Sequence, residues 1–597
     1  MHFTAFAAHL EKLEATASRL SLAALLAELY QELQPAEIQP ASYLLQGSLV
    51  AEYESLEFQL SDKMVIRALA RLVATRGTTS SATQSDLFGE SEVSDAEQQV
   101  AAWYKETGDL GLVALRLGEG NASEITLLDT YQRLQAIAQE SGAGSQERKL
   151  QGLEDLLLQL DAIGRKVVVR IILGNLRLGF STMTMLDALS WAVTGGKTEN
   201  KMLETAYQKK ADIGALAAAY LTAWREGADA AARATLLNEY SVAVGVPVLP
   251  ALCQRLESAA EIIEKMGEVI AEPKYDGVRV QIHIIKKSAQ SASSTIKTFT
   301  RSLEENSHQF PELWSIIDDL KCQSCILDAE AIGFDKATGK LLLFQDTITR
   351  KRKHGVEERA SEIPLRFFVF DIIELDGRSL LDTPLQERKE ALEKLFQDNE
   401  TIQHTPYIVT EIPETLREFH EAQLAEGLEG AVIKQRYSGY QSGRKGWSWV
   451  KIKEAEGTTG KLRDTVDCIV MGYYVGRGKR AGFGLGAFLA GVLNEQGIVK
   501  TIAKVGTGLS DEQFVQLKQR TESLRSDEPP AVYDVAKALQ PDVWLKPEVV
   551  VEIAADELTV SPNHTAGWAL RFPRLVNFRE DKTWAQATTI DEIKQLV

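Results

Sequence analysis

The chain has 597 residues, 44% of them hydrophobic and 25% charged, which is ordinary globular composition and excludes wholesale disorder, a collagen-like repeat and a disulfide mini-scaffold. Lys+Arg 66 against Asp+Glu 84 leaves a formal net charge of −18, so any polyanion would have to bind at local basic islands; a whole-surface average does not exclude them. Four cysteines in so long a chain indicate a reducing compartment, and no uncharged apolar run approaches the roughly 18 residues needed to span a bilayer.

The opening MHFTAFAAHLEKLEA meets acid and lysine too early for a secretory signal, so a cytoplasmic protein without a membrane partner is expected. Residues 1–240 are Ala- and Leu-rich with helical spacing. LSLAALLAELYQEL and KLQGLEDLLLQL put apolar residues at three- and four-residue intervals, as amphipathic helices require. Residues 74–95 lack periodicity and are rich in Ser, Thr, Gly and acid, so a mobile surface loop is expected there. Composition changes near GVPVLP (245–250). Short β-branched runs follow: VRVQIHII, CILDAEAIGF, LRFFVFDIIEL and GAVIKQR. A helix interrupts them at SLLDTPLQERKEALEKLF, with Pro384 suited to an early position. From 456 onward, TVDCIVMGYYVG, GAFLAGVLN and VVVEIAADELT predict a small β-barrel closed by a helix near ATTIDEIKQLV. The expected division is a helical domain over 1–240, an α+β domain over 241–455 and a barrel over 456–597.

The chemistry concentrates in the middle. In EPKYDGVRVQIH, Lys274 sits in a turn before a strand, and Gly277 permits close backbone approach to a ligand. Lys274 is a candidate covalent nucleophile, but an isolated lysine is mostly protonated at neutral pH and needs nearby cations to activate it. Strand alternation puts Lys451 and Lys453 on one face in WSWVKIK, where they can fill that role or neutralise a phosphate. Six Lys or Arg and no acid lie between Lys434 and Lys453, and Lys351–His354 and Arg477–Arg480 are further basic clusters. Taken alone, Lys-x-Asp-Gly arises by chance about once in every several chains of this length, and a surface lysine beside a turn explains it as well.

The order of the pieces decides between these readings. EPKYDGVR, FTRSLEENS, ILDAEAIGF, FFVFDIIELDG, EGLEGAVIK, WSWVKIK and RFPRLVNFREDK follow one another in a sequence that resembles covalent nucleotidyltransferases. The resemblance is strongest to ATP-dependent DNA ligases of the archaeal and eukaryotic replicative type, and RIILGNLRLGFSTMTMLDAL and YQKKADIG extend it into the helical half. It implies a helical DNA-binding domain, a nucleotidyltransferase domain and a C-terminal OB-fold. It implies Lys274 as the residue that forms the AMP–lysine phosphoramidate, Glu272 at the adenine edge, Arg279 at the ribose, Arg301 at phosphate and Phe370 stacked on adenine. Glu330 would reach the ribose or a metal and Glu429 the metal, a carboxylate pair that suits Mg²⁺. Where the family usually has arginine, six residues before Lys451, this chain has Lys445, with Arg444 beside it as the better bidentate phosphate ligand. Arg571, Arg574, Asp581 and Lys582 would serve the pyrophosphate-releasing step, through movement at a hinge over 453–460, and Arg177 would contact DNA. The implied partners are ATP and nicked duplex DNA, acted on by a monomer, with a sliding clamp as a further candidate; the implied processes are replication, repair and recombination.

An RNA ligase or mRNA guanylyltransferase with the same lysine chemistry, or a catalytically silent DNA-binding scaffold, would share parts of this pattern. The long helical half and RFPR disfavour the first two, and the joint presence of Lys274, Glu330, Glu429 and Lys451 disfavours the scaffold. Cys322-Gln-Ser-Cys325 is half of a zinc pattern without its second half, GFGLG at 482–486 lacks a strand–loop–helix setting, and His354 fits an exposed loop.

Overall fold

The computed structural model describes residues 1–77, 89–118, 124–176, 178–256, 258–287, 293–336, 338–342, 363–443, 446–452, 465–476, 484–506, 509–555 and 557–594. They fall into two units, Met1–Ala455 and Glu456–Val597.

Among the described residues the first unit begins with thirteen α-helices between Phe3 and Glu239, as the periodicity predicts. Aspartates start several of them. Asp109, Asp161 and Asp212 each accept a hydrogen bond from a backbone N–H in the first turn, satisfying a donor the helix leaves unpaired. Asp212, in the YQKKADIG segment, also accepts from the Tyr43 and Tyr53 hydroxyls at 3.0 and 3.2 Å. A Cβ at Gly214 would lie 2.5 Å from the Tyr43 ring, so this glycine sets how closely two helices approach. The loop expected over 74–95 is shorter than the sequence suggests. Helices Asp62–Gly77 and Gly89–Thr107 enter it from both sides. Residues 78–88 lie outside the described ones.

Six strands build the rest of this unit's site: β1 (Val269–Pro273), β2 (Val278–Ile285), β3 (Ser324–Gly333), β4 (Leu365–Leu375), β5 (Ala431–Gln435) and β6 (Trp449–Ile452). They belong to two sheets. One runs Gln254–Arg255, β6, β5, β1, Ile408–Thr410; the other runs Thr295–Phe299, β2, β3, β4, Arg378–Ser379. Alternation gives each sheet an apolar face. Val269, Ala271, Ala431, Ile433, Val450 and Ile452 form the core behind the first, and Val280, Ile282, Leu327, Ala329, Phe367 and Val369 that behind the second. Pro384 caps helix Leu385–Leu395 on the second sheet's side. Cys322 and Cys325 are packed in that same core, and all four cysteines are free.

The helical and mixed regions share packing. Phe299 and Leu303 enter the core of the helices, with the Phe299 ring edge-on to Tyr53 at 6.1 Å. Among the described residues no helix is long and apolar enough to cross a membrane.

The second unit holds an eight-stranded sheet whose central strands are Val466–Tyr474, Ala487–Leu493 and Val499–Val505. It curls as a half-barrel, consistent with an OB-fold. Its hydrogen-bonded path stays open among the described residues, where the sequence predicts closure. The single strand expected from VVVEIAADELT is two: Val550–Ala554 pairs with the sheet, and Glu557–Val560 leaves it to pair with Trp568–Arg571. The expected helix is present as Ile590–Lys594, and Ile593 is fully buried in the core.

Candidate active site

Lys274 stands where the chain leaves one sheet for the other, between β1 and β2. That seam opens into a cleft of about 750 Å³. Strand register explains which side chains face it. Val432 is paired with both Glu272 and Lys451, and Lys434 with Trp449, so these five residues of β1, β5 and β6 share one face. On the other sheet Arg279 is paired with Glu330, and Gln281 with Asp328. The cleft is lined from both sides by Glu272, Lys274, Arg279, Arg301, Glu330, Phe370 and Lys451. Seven of the residues singled out from the sequence therefore meet at one place.

Glu429, an eighth, reaches the same point. The backbone N–H of Lys274 donates to the Gly430 carbonyl at 2.9 Å, that of Glu429 donates to the Lys274 carbonyl at 3.1 Å, and the Lys274 ammonium pairs with the Glu429 carboxylate. Glu330 faces Arg279 and Lys274, yet burial pushes its pKa up to about 7 against both cations. Burial also opposes the charge on Arg279, but the Asp328 carboxylate outweighs it and raises the guanidinium pKa above its ordinary value. Arg279 gives Asp328 two hydrogen bonds, at 3.0 and 2.6 Å, and a third to the Ala251 carbonyl at 2.6 Å. The Tyr440 hydroxyl donates to the same Asp328 Oδ2 at 2.8 Å and accepts from Arg279 Nη2 at 3.2 Å. Phe370 lies edge-on to Trp449, ring centroids 6.0 Å apart, with the Arg279 guanidinium 5.4 Å from its ring. Arg301 is exposed in a turn that Leu303 anchors with φ +71°, a left-handed backbone that bulky residues rarely adopt.

Gly277 lines the cleft and also has a second neighbour. A Cβ there would lie 2.7 Å from the Ala331 carbonyl oxygen and 3.0 Å from Glu330 Cγ, so its close approach is to β3 and it seats Glu330. Sequence reasoning also missed Asp328, Tyr440 and Trp449. Only Asp328 and Trp449 carried a signal, each two strand residues from a site residue and hence on its face.

In the second unit Arg571 is exposed at the end of Trp568–Arg571, and Arg574 is half-buried at the start of Arg574–Phe578. Asp581 accepts from Arg579 at 2.9 and 2.8 Å, and Lys582 pairs with Asp467 at 2.5 Å. Arg177, Arg444, Lys445 and Lys453, the hinge over 453–460 and the basic clusters at 351–354 and 477–480 lie outside the described residues.

Three family models match in order: the DNA ligase N terminus over residues 2–190, the ATP dependent DNA ligase domain over 250–453 and the ATP dependent DNA ligase C terminal region over 481–582. A probable DNA ligase of Dictyoglomus turgidum is 36% identical, covering 100% of this chain and 97% of its own length. The chain belongs to the ATP-dependent DNA ligases. DNA ligase 2 of Thermofilum pendens is 35% identical over 98% of this chain and 95% of its own, and DNA ligase 1 of Methanosarcina mazei 34% over 100% and 99%. The solved structure Pmar-Lig_PreS3 covers 96% of the ligase chain and 99% of its own at 16% identity, with a TM-score of 0.52, a likeness of fold. As a DNA ligase of this family the enzyme seals nicks in duplex DNA at the expense of ATP.

Proposed function

We propose that Lys274 is the nucleophile of a three-step sealing reaction, a reading carried by its place at the seam of the two sheets among cationic and carboxylate side chains of one cleft. Lysine Nζ attacks the α-phosphorus of ATP and loses its proton. The bond from that phosphorus to the bridging oxygen breaks and pyrophosphate leaves. The 5′-phosphate of the nick then displaces lysine from AMP, and the 3′-hydroxyl displaces AMP to close the backbone. Arg301, Lys451 and Lys453, with Arg444 or Lys445, bind phosphate and offset its developing charge, while Arg279 holds the ribose and Phe370 stacks on adenine. Glu272 accepts from the exocyclic amine. Glu330 and Glu429 offer two hard oxygen donors, which is what Mg²⁺ takes from protein when waters and phosphates complete its shell. Bound there, Mg²⁺ neutralises phosphate charge.

In this reading residues 241–455 form the adenylation domain, 1–240 the DNA-binding domain with Arg177 as a phosphate contact, and 456–597 an OB-fold domain. Arg571, Arg574, Asp581 and Lys582 of that last domain serve pyrophosphate departure. The enzyme acts as a monomer in the cytoplasm, with a sliding clamp as a candidate partner. The family match across the helical half favours this over an RNA ligase or mRNA guanylyltransferase. Incubation with ATP labelled at the α-phosphate, with Mg²⁺, should give a labelled protein whose adduct is stable in alkali and cleaved by acid. Added nicked DNA should then take the label and be sealed. Transfer to RNA ends in preference to the nick would reject the reading.

A further inference from the structure

Glu272 has surroundings that phosphoryl transfer does not explain. Its side chain is 3% exposed and lies between two ammonium groups that are equally dry, Lys389 at 3% and Lys434 at 1%. One carboxylate oxygen pairs with Lys389, from helix Leu385–Leu395, and the other with Lys434 Nζ of β5 at 2.7 Å. Register accounts for Lys434: it lies on the same face of β5 as Val432, the residue opposite Glu272, and so reaches the carboxylate diagonally. Its Nζ also donates to the Phe370 carbonyl at 3.2 Å and sits 4.5 and 4.2 Å from the ring centroids of Phe370 and Trp449. Burial pulls the Lys434 pKa below its ordinary value against the attraction of Glu272. Lys389 is the odd member. It does not line the cleft, and its ammonium rests 4.9 Å from the centroid of the Tyr407 ring.

A second buried cation on one carboxylate adds desolvation that a single pair would avoid, and apolar residues would fill the space without it. What the arrangement supplies is direction. A carboxylate accepts at about four lone-pair sites and donates at none. Two ammonium groups on separate elements, a helix and a strand, each hold one oxygen and so fix the plane of a carboxylate that lines the cleft.

We propose that Lys389 is a positioning residue for nucleobase choice: together with Lys434 it clamps the Glu272 carboxylate so that the cleft favours a purine with a hydrogen-bond donor at its 6-position. Adenine presents an amine there; guanine presents an oxygen that would meet acceptor lone pairs with no proton between them. The inference rests on the reading that this cleft binds ATP with Glu272 at the base.

The test compares ATP with purine riboside triphosphate, which keeps the ring and lacks the 6-amine, in the enzyme-adenylation step of the full chain. A hydrogen bond to a charged group accounts for roughly tenfold or more, so wild type should prefer ATP by at least about tenfold in kcat/KM. Lys389→Met should compress that preference to within about threefold, chiefly by raising KM for ATP, and Lys389→Arg should restore it. Lys389→Gln, neutral but able to hydrogen-bond, should compress it similarly and serves if the methionine variant does not fold. Equal losses on both nucleotides would make Lys389 merely structural and overturn the proposal. A preference that rises would mean that Lys389 competes with the base for the carboxylate, which overturns it too. A wild type indifferent to the amine would instead reject the placement of Glu272 at the base.

Discussion

Glu272 and Lys274 flank a single proline, and each meets a partner of opposite charge, but the two contacts are built differently. Glu272 ends a strand inside a sheet and is 3% exposed between two lysines, whereas Lys274 has stepped out of the sheet and is 19% exposed against a Glu429 that is 22% exposed. Desolvated pairs are rigid and costly to break; hydrated ones are weak because water competes for both ends. The difference follows from where the strand stops. It also fits the two proposed tasks: a residue that fixes a base must not move, while a nucleophile would have to exchange its carboxylate for a phosphorus atom. Asp371 and Arg388 carry the dry extreme further, with both side chains fully buried behind the cleft.

The largest expected effect breaks the hydrated member. Lys274→Ala should abolish labelled-AMP transfer to the protein while leaving closure of a pre-adenylated nick, because that later step needs no amine. Labelled variant protein at normal yield would assign the nucleophile elsewhere. Next comes the dry extreme. Arg388 donates to both Asp371 oxygens, at 2.7 and 3.0 Å, so Arg388→Met would strand a buried carboxylate and should cost the first unit about 3–5 kcal/mol in urea unfolding. Burial pushes Asp371 toward the neutral form, but Arg388 prevails and holds its pKa below the ordinary range. This stabilisation is therefore complete above about pH 4 and is lost as pH falls through the folded-state value, so variant and wild type should converge in acid. A variant as stable as wild type at neutral pH would mean that the pair contributes little.

Much of this site is legible in the sequence, because strand alternation and turn chemistry are local. The runs VRVQIHII and LRFFVFDIIEL coincide with β2 and β4, and the spaced motifs name most of the residues that line the cleft. What is not legible depends on distant partners. Nothing near Lys389 announces Glu272, 117 positions earlier, and a lysine at that point of an amphipathic helix reads as a solvated one. Gly277 lines the cleft as a ligand-side glycine would, but its second constraint, Ala331 and Glu330 of β3, comes from a distant strand. FTRSLEENS offered Arg301 to phosphate, but not that Phe299 and Leu303 around it are held in the core of the helical region. The break after Ala554 has the same origin: the strand expected over VVVEIAADELT divides because its two ends pair with different partners.

The smallest expected effect concerns a pair in the second unit about as exposed as Lys274 and Glu429, with the Lys582 side chain 31% exposed and Asp467 11%. Lys582→Ala does not strand the carboxylate, because Arg579 Nη1 still donates to both Asp467 oxygens at 3.0 and 3.1 Å. The loss of stability should therefore stay at about 1 kcal/mol or less, the range of partly hydrated pairs. Its chemical effect should be confined to one step. If Lys582 exchanges Asp467 for departing pyrophosphate, as we propose that Lys274 exchanges Glu429 for the α-phosphorus, the variant should slow reaction with ATP by about tenfold, equivalent to about 1.4 kcal/mol of barrier. Closure of a pre-adenylated nick should change far less, since no pyrophosphate leaves there. Measuring both rates on one preparation, beside its melting curve, separates the cases. Equal slowing of the two reactions would place Lys582 in DNA binding or folding, and a lysine with the exposure of a breakable pair would then have no exchange to make.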